Sequence, residues 1–586
     1  MPLALRAAPL FIPPIRRDKG RLLSNPLLGT LANSVPHKGS ADLRIPHAYH
    51  RKFALFFHTT QKLVFMNNSP EQTSFTPKQI AILLFSVFII AFCGILYELL
   101  IGTLSTYFLG SSVLHFSITI GLFMTFMGVG SWISKYLQEP VLDKFIWIEW
   151  GLGMIGGFCA LLLYATFSLT ENFYLISFFC VAIIGTGIGL EIPLIARLIQ
   201  KNFQFKDTIA QVLSFDYIGA LVASLAFPLL LLPYFGTVKT GFLIGILNMG
   251  IAILNLEIFH EHLVNYKKLK LFSYLGSLIL LIGFLLSFQM VTFLEEFLYR
   301  DPVVYVEQSP YQRIVLTQWK QDVRLFLNGN LQFCTVDEYR YHEPLVHVPM
   351  LSSKHKEKVL ILGAGDGLAV REILKYPTVK EIHLVDLDPA MTNLGKNHWL
   401  LKKINQDALN SPKVKIFNQD AWEFINKSND IYDVIIADLP DPNDTGLGKL
   451  YSKEFFELAK KRLSAMGTFC TQSTSPYFAL RSFWCIHTTL DSVFNSCFPY
   501  HAYVPSFGDW GFNVAFPYKI SKEKWIENVQ SAIKQVDFHF QFLDKEEIVG
   551  LFFMGKDCEK VEVPIQTLEK QVLVEMYEQE WKQWHD

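Results

Sequence analysis

Between residues 79 and 294 the chain is a series of long apolar runs separated by short polar turns. Seven runs, roughly 79–101, 113–134, 145–167, 173–196, 212–234, 240–258 and 271–294, are long enough to cross the ~30 Å core of a bilayer as helices. Small residues recur within them at helix-packing spacing: Gly128 and Gly130, Gly153 with Gly156 and Gly157, and Gly185, Gly187 and Gly189. The pattern predicts a multi-pass helical domain over 76–296. After Arg300 the period shortens. Stretches 303–306, 313–319 and 323–327 read as strands, with Asn328-Gly329 a hairpin turn. A small antiparallel β-domain is therefore expected over 300–350. Strand and helix patterns then alternate over 351–555, as in βαβ units, and 556–586 reads as a charged amphipathic helix. The expected fold is a multi-pass α-helical membrane bundle, then an antiparallel β-domain, then a Rossmann-like α/β domain of methyltransferase type.

Residues 1–75 show no sustained apolar period and lack the core of a signal peptide. They read as a basic, disordered tail. Met66, followed by a polar lead into the first apolar run, is the expected natural start.

Composition sharpens this picture in three ways. At 51% hydrophobic residues, with 50 Phe, the chain is too apolar for an ordinary soluble enzyme, which makes the lipid bilayer an expected partner. A net charge of −1 supplies no basic field, so nucleic acid is not expected. The eight cysteines form no C-x-x-C pair and are expected as buried thiols, with no metal site.

Basic residues cluster in alternate turns: Lys135 and Lys144; Arg197, Lys201 and Lys206; Lys267, Lys268 and Lys270. The positive-inside rule then puts the start of the first helix in the cytoplasm, and seven spans carry the C-terminal half outside. Polar residues inside the runs include Glu98, His115, Glu191, Arg197, Asp216 and Asn248. Glu98, Glu191 and Asp216 either line a site for an organic cation or pair locally.

The chemistry concentrates in VLILGAGDGLAVREILKYPTVKEIHLVDLDP, residues 359–389. Strand, glycine turn (Gly363, Gly365, Gly367), helix, strand and terminal Asp386 follow in the order of a nucleotide- or nucleoside-binding βαβ unit. Asp366 stands inside the turn, where a pyrophosphate would rest, and Leu368 replaces the third glycine. A carboxylate there favours a cationic nucleoside without phosphate. Asp386, Asp420 and Asp438 also follow apolar strands, and Asp441 lies three residues beyond Asp438. A single strand-end Asp is usually a cap or turn former. Five acids at the carboxyl edge of one sheet call for a compensating cation.

Across about 303–520 the chain resembles the polyamine aminopropyltransferases, spermidine synthase in particular. The resemblance rests on SPYQRI (309–314), LFLNGNLQFCTVDEYRYHEPLVH (325–347), ILGAGDGLAVREILKYPTV (361–379), VDLDP (385–389), NQDAW (418–422), YDVIIADLPDP (432–442) and LYSKEFF (450–456). The apolar half resembles the bacterial variant in which such a domain follows a multi-pass membrane region. The resemblance implies transfer of an aminopropyl group from decarboxylated S-adenosylmethionine to a diamine, putrescine foremost, giving spermidine and methylthioadenosine. No prosthetic group is implied, and a homodimer or homotetramer through the synthase domain is expected. It implies Asp438 as proton acceptor, helped by Asp441, with Tyr341 and His342 lining the diamine site. Asp366 would bind the aminopropyl ammonium, Asp386 the ribose, and Asp420 with Ala421 the adenine. Gln312, Gly363 and Gly365 would touch the nucleoside.

Three departures from the family pattern stand out. Asp386 replaces the usual Glu, and DLPDP replaces DSSDP or DSTDP. Phe507 stands where many members have a diamine-binding Tyr, leaving Asp509 or Trp510 to compensate. Two other readings remain at this point: a methyltransferase using S-adenosylmethionine, and a non-catalytic polyamine transporter or sensor. A cytosolic nucleoside cosubstrate places the catalytic half in the cytosol, at a multi-pass inner membrane, against the seven-span argument.

Overall fold

The computed structural model describes residues 75–586 apart from 110–111, 170–171, 201–204, 300 and 586. Residues 1–74 of the expected tail, Met66 included, lie outside the described residues. The apolar runs form helices α1 (Pro77–Leu109), α2 (Ser112–Ile133), α3 (Val141–Leu169), α4 (Phe173–Ile199), α5 (Phe205–Ala226), α6 (Leu232–Ile258) and α7 (Tyr266–Tyr299). Six continuous helical stretches among the described residues are long and apolar enough to cross a membrane, and the fifth runs from Lys206 to Ile258.

That fifth stretch folds back on itself. Gly236 has φ 68° and ψ −176°, a backbone region open to glycine. Thr240 Oγ1 donates to Leu231 O at 3.3 Å; a straight helix would hold those residues ~13 Å apart. Farther along, Asn255 Nδ2 donates to Ser86 Oγ at 2.8 Å, while a Cβ on Gly219 would lie 2.3 Å from Phe88 O. Both legs therefore flank the same turn of α1. Among the described residues the seven apolar runs occur as seven legs, which puts the start of α1 and the C-terminal half at opposite ends of the bundle. Close packing accounts for the small residues: a Cβ on Gly130 would meet Thr186 O at 2.0 Å, and one on Gly189 would meet Met127 O at 2.0 Å.

The polar residues inside the runs have different surroundings. Glu191 faces Glu149 on α3, and Asp216 sits on a half-exposed face of α5.

The C-terminal half begins with β1 (Val303–Gln308), β2 (Arg313–Trp319), β3 (Asp322–Leu327) and β4 (Asn330–Cys334), an antiparallel sheet in chain order. Asn328 (φ 50°) and Gly329 (φ 81°) make the β3–β4 turn, the two positive φ values that a tight hairpin requires. Helix α8 (Tyr339–Ser352) follows, and its Leu345, Val346, Val348 and Met350 are buried in the α/β core. It therefore packs with the α/β layer, although it falls within the stretch expected to be β-domain.

The second sheet contains β5 (Lys358–Gly363), β6 (Glu381–Asp386), β7 (Val414–Asn418), β8 (Tyr432–Asp438), β9 (Leu463–Gln472), β10 (Ser496–Val504) and β11 (Gly508–Phe516), in the order β10-β11-β9-β8-β5-β6-β7. Strands β9, β8, β5, β6 and β7 are parallel, and β11 pairs antiparallel with β9 and β10. Alternate residues of β5 serve opposite faces. Val359 and Ile361 join one apolar cluster and Leu360 and Leu362 the other, so the strand reads as a continuous apolar run. All eight cysteines are buried and unbridged.

Candidate active site

The carboxyl ends of the parallel strands bring the predicted acids to one edge. Gly363 pairs with Asp438 across β5 and β8, and a Cβ there would lie 1.9 Å from Asp438 O. A Cβ on Gly365 would lie 2.6 Å from Asp386 Oδ2. These glycines admit β8 on one side and the β6 acid on the other. Between them, Asp366 turns inward, and its Oδ1 accepts from Leu368 N at 2.9 Å. Burial raises its pKa, while the His342 cation opposes the rise.

Helix α8 supplies three consecutive residues with three different tasks. Tyr341 OH donates to Asp438 Oδ1 at 2.6 Å. His342 Nδ1 donates to Glu338 Oε2 at 2.8 Å, and Glu338 is in turn gripped by Arg371 at 2.9 Å. Burial disfavours a charged His342, but the hydrogen bond and charge of Glu338, with Asp366 and Asp438 beyond, prevail and raise its pKa to about 9. Glu343 accepts from the backbone N–H groups of Gln541, Phe542 and Leu543 at 2.6, 2.9 and 2.9 Å, pinning a later loop to the helix. A Pro at 344 follows; the i,i+4 pair Glu338/His342 lies within the first turns, ahead of it.

Asp438 and Asp441 are both driven up to about 6, chiefly by burial. For Asp438 the His342 charge lowers the value, Asp366 raises it and the Tyr341 hydroxyl lowers it. Asp441 sits in a braced loop. Tyr451 OH donates to Pro440 O at 3.0 Å, and Gln472 Nε2 to Leu439 O at 2.6 Å and to Asp441 Oδ1 at 3.2 Å. The other oxygen, Oδ2, accepts from Tyr577 OH at 2.7 Å. Tyr577 belongs to the last helix, α9 (Val572–His585).

Asp386 is likewise raised to about 6 by burial, with its neighbours Asp388 and Asp366 adding to the rise. Its Oδ1 accepts from Asp388 N at 2.9 Å. Gln312, from the first sheet, does not stand free: its Nε2 donates to Asp388 Oδ2 at 2.8 Å, beside Ser309 Oγ at 2.7 Å. Asp420 caps a helix through Glu423 N at 3.0 Å and pairs with Lys449 at 2.8 Å, and Ala421 is buried beside it. Both Asp420 oxygens are thus occupied by the protein.

Phe507 packs on Tyr341 and Trp510, with ring centroids 6.1 and 5.2 Å apart. Asp509 Oδ1 accepts from His501 Nδ1 at 2.6 Å. Sequence reasoning missed Glu338, Gln472, Tyr451 and Tyr577. The i,i+4 spacing of Glu338 and His342 could have exposed the first. Tyr577 gave no local signal, lying 136 positions from the acid it touches.

Acids with raised pKa values, hydroxyls donating to them and a histidine whose pKa is also raised are groups that can hold a cation and accept a proton. Comparisons with known proteins agree in kind. The Spermine/spermidine synthase domain matches residues 338–527. A polyamine aminopropyltransferase of Leptospira interrogans is 43% identical over 498 residues, covering 85% of this chain and 98% of that one. Polyamine aminopropyltransferase 2 of Ralstonia nicotianae is 40% identical over 509 residues, 86% of this chain and 98% of that one. Each alignment is longer than the whole C-terminal half, so the similarity extends into the helical bundle. A crystal structure of spermidine synthase in complex with the transition state analogue AdoDATO is 26% identical, with a TM-score of 0.41 over 43% of this chain and 85% of that one.

Proposed function

Because the chain belongs to the polyamine aminopropyltransferases, a family of transferases, we propose that it moves the aminopropyl group of decarboxylated S-adenosylmethionine to putrescine, giving spermidine and methylthioadenosine. The observation that carries this reading is the pair Asp438 and Asp441, half-buried, raised to about 6 and each held by a tyrosine hydroxyl. Both substrates are cations, and an acidic crevice draws them in.

The chemistry asks little more of the protein. The sulfonium is already an activated leaving group. The attacking amine must be neutral, yet an amine of this kind has a pKa near 10. Asp438 takes its proton as the new C–N bond forms and the C–S bond breaks, and methylthioadenosine leaves uncharged. Tyr341 orients the receiving oxygen, and Asp441, aimed by Tyr577 and Gln472, holds the diamine. Asp366 takes the aminopropyl ammonium and Asp386 the ribose, with Gly363 and Gly365 giving the nucleoside close approach. Asp420 and Ala421 frame the adenine, and Gln312 acts by fixing Asp388 beneath the nucleoside. His342 keeps Asp438 and Asp366 ionised by its charge. A methyl donor would bring its own carboxylate toward Asp366, which argues against the methyltransferase alternative.

The bundle anchors this domain in the inner membrane. Seven legs put the basic turns at the end opposite the catalytic half. We nevertheless place that half in the cytosol, with the charged nucleoside it consumes. The test of function is purified full-length protein with decarboxylated S-adenosylmethionine and a panel of diamines, read by methylthioadenosine release. Ligand binding without product from any amine would contradict the proposal.

A further inference from the structure

Far from the catalytic edge, two carboxylic acids meet inside the helical bundle. Glu149 lies eight residues into α3, and Glu191 lies eight residues before the end of α4. Each is about 12 Å along its helix from the end that carries the basic turns. Glu149 is 0% exposed and Glu191 1%. A Cβ on Gly187 of α4 would lie 2.7 Å from Leu152 Cδ2 of α3, and one turn on from that close contact the two helices bring Glu191 and Glu149 against each other. Yet both oxygens of Glu149, and Oε1 of Glu191, find no donor among the described residues.

Among the described residues the surroundings supply no counter-charge. Arg197, the basic residue of α4, is committed to Leu137 O and Ser134 O, both at 2.9 Å. From α1, Cys93 and Tyr97 face the pair, but the Tyr97 hydroxyl donates to Leu152 O at 3.3 Å. Cys93 Sγ reaches Ile244 O on α6 at 3.9 Å. One turn beyond Ile244 on the same face stands Asn248, 2% exposed, whose Oδ1 also lacks a donor. Helix α2 presents Phe126 and Met127 to α4, and α7 presents Leu280 to α3, all apolar.

An ionised carboxylate only accepts hydrogen bonds. Two of them facing each other in an apolar interior, without a cation, cost far more than a bundle of this size can absorb. One proton between them turns the clash into a short, charge-assisted hydrogen bond. The tight glycine-lined contacts of α3 and α4 suit an occupant of that size and not an organic amine.

We propose that Glu149 and Glu191 form an intramembrane proton site that stays protonated at neutral pH. Loss of its protons leaves two adjacent charges, so it requires α3 and α4 to part or water to enter. Titratable acids in a membrane interior mark proton and ion paths, and this pair gives the bundle a task independent of aminopropyl transfer.

Infrared spectroscopy of the full-length protein in lipid nanodiscs tests this, titrated with pH in choline chloride and again in sodium chloride. The expected result is a protonated-carboxyl band at neutral pH, shifted in D2O, unaffected by sodium, reduced in Glu149→Gln and in Glu191→Gln and lost when both are replaced. Each Gln can hydrogen-bond the remaining carboxyl, which preserves the packing. Absence of the band in the unaltered protein, or its persistence in the double variant, overturns the proposal. Its disappearance in sodium but not in choline at constant pH overturns the proton as occupant.

Discussion

Tyr577, in the last helix, donates its hydroxyl to Asp441 Oδ2 at 2.7 Å across 136 positions of sequence. Phe507, on the wall beside Tyr341, has no hydroxyl to give. The C-terminal helix thus supplies a tyrosine hydroxyl to the crevice from a different element. A hydrogen bond to a charged acceptor contributes ~1.5–3 kcal/mol. Tyr577→Phe should therefore lower kcat/KM for the diamine by about ten- to a hundredfold. Nucleoside affinity, measured by calorimetry, should stay unchanged.

The acid limb of activity should report the Asp438 carboxylate. Asp438 must be ionised to take a proton, and burial has raised it to about 6. Log kcat/KM should fall with unit slope as pH drops through about 6. Stability runs the other way. With folded values above the unfolded ones, Asp386, Asp438 and Asp441 hold more protons folded than unfolded between about pH 4 and 6, so their contribution to stability falls as pH rises through that window. A cationic substrate offsets that loss, so its binding near pH 6 should release protons, seen as a dependence of calorimetric heat on buffer.

His342 should act through charge. Its pKa, raised to about 9 by Glu338 against the effect of burial, keeps it cationic at neutral pH. That contribution to stability is complete below about 6.5 and is lost as pH rises through about 9. Glu338→Gln should lower the His342 pKa, remove its charge near neutrality and so raise the Asp438 pKa. The acid limb of the rate profile should move to higher pH, with the maximal rate much less affected. An unmoved limb would assign His342 to packing alone.

Sidedness has a direct check. A reporter fused after Asp586 that is active only in the cytosol should give signal, and one active only outside should be silent. The reverse outcome would put the catalytic half outside, as the basic turns Lys135, Arg197 and Lys267 to Lys270 at the far end of the bundle imply.

Much of this was legible from the chain because its causes are local. The run Val359–Leu362 is apolar at every position because both faces of β5 are buried, and Asn328-Gly329 announces a turn that needs two positive φ values. The acids Asp366, Asp386, Asp438 and Asp441 reach one edge because parallel strands end together. What sequence did not reveal depends on distant partners. Glu149 looks like any interfacial acid until α4 brings Glu191 against it, and Asp216 looks like its companion until α5 turns it outward. The bond from His501, on the neighbouring strand, to Asp509 is likewise invisible in the sequence.

Asp438 is proposed as the group that takes the proton of the attacking amine. The most direct measurement is methylthioadenosine release by the unaltered protein and by Asp438→Asn side by side, with nucleoside affinity measured on both. Removing a general base costs ~10²–10⁴ in rate, so the variant should bind the nucleoside normally and release methylthioadenosine at least a hundredfold more slowly. Equal release from both proteins would contradict it.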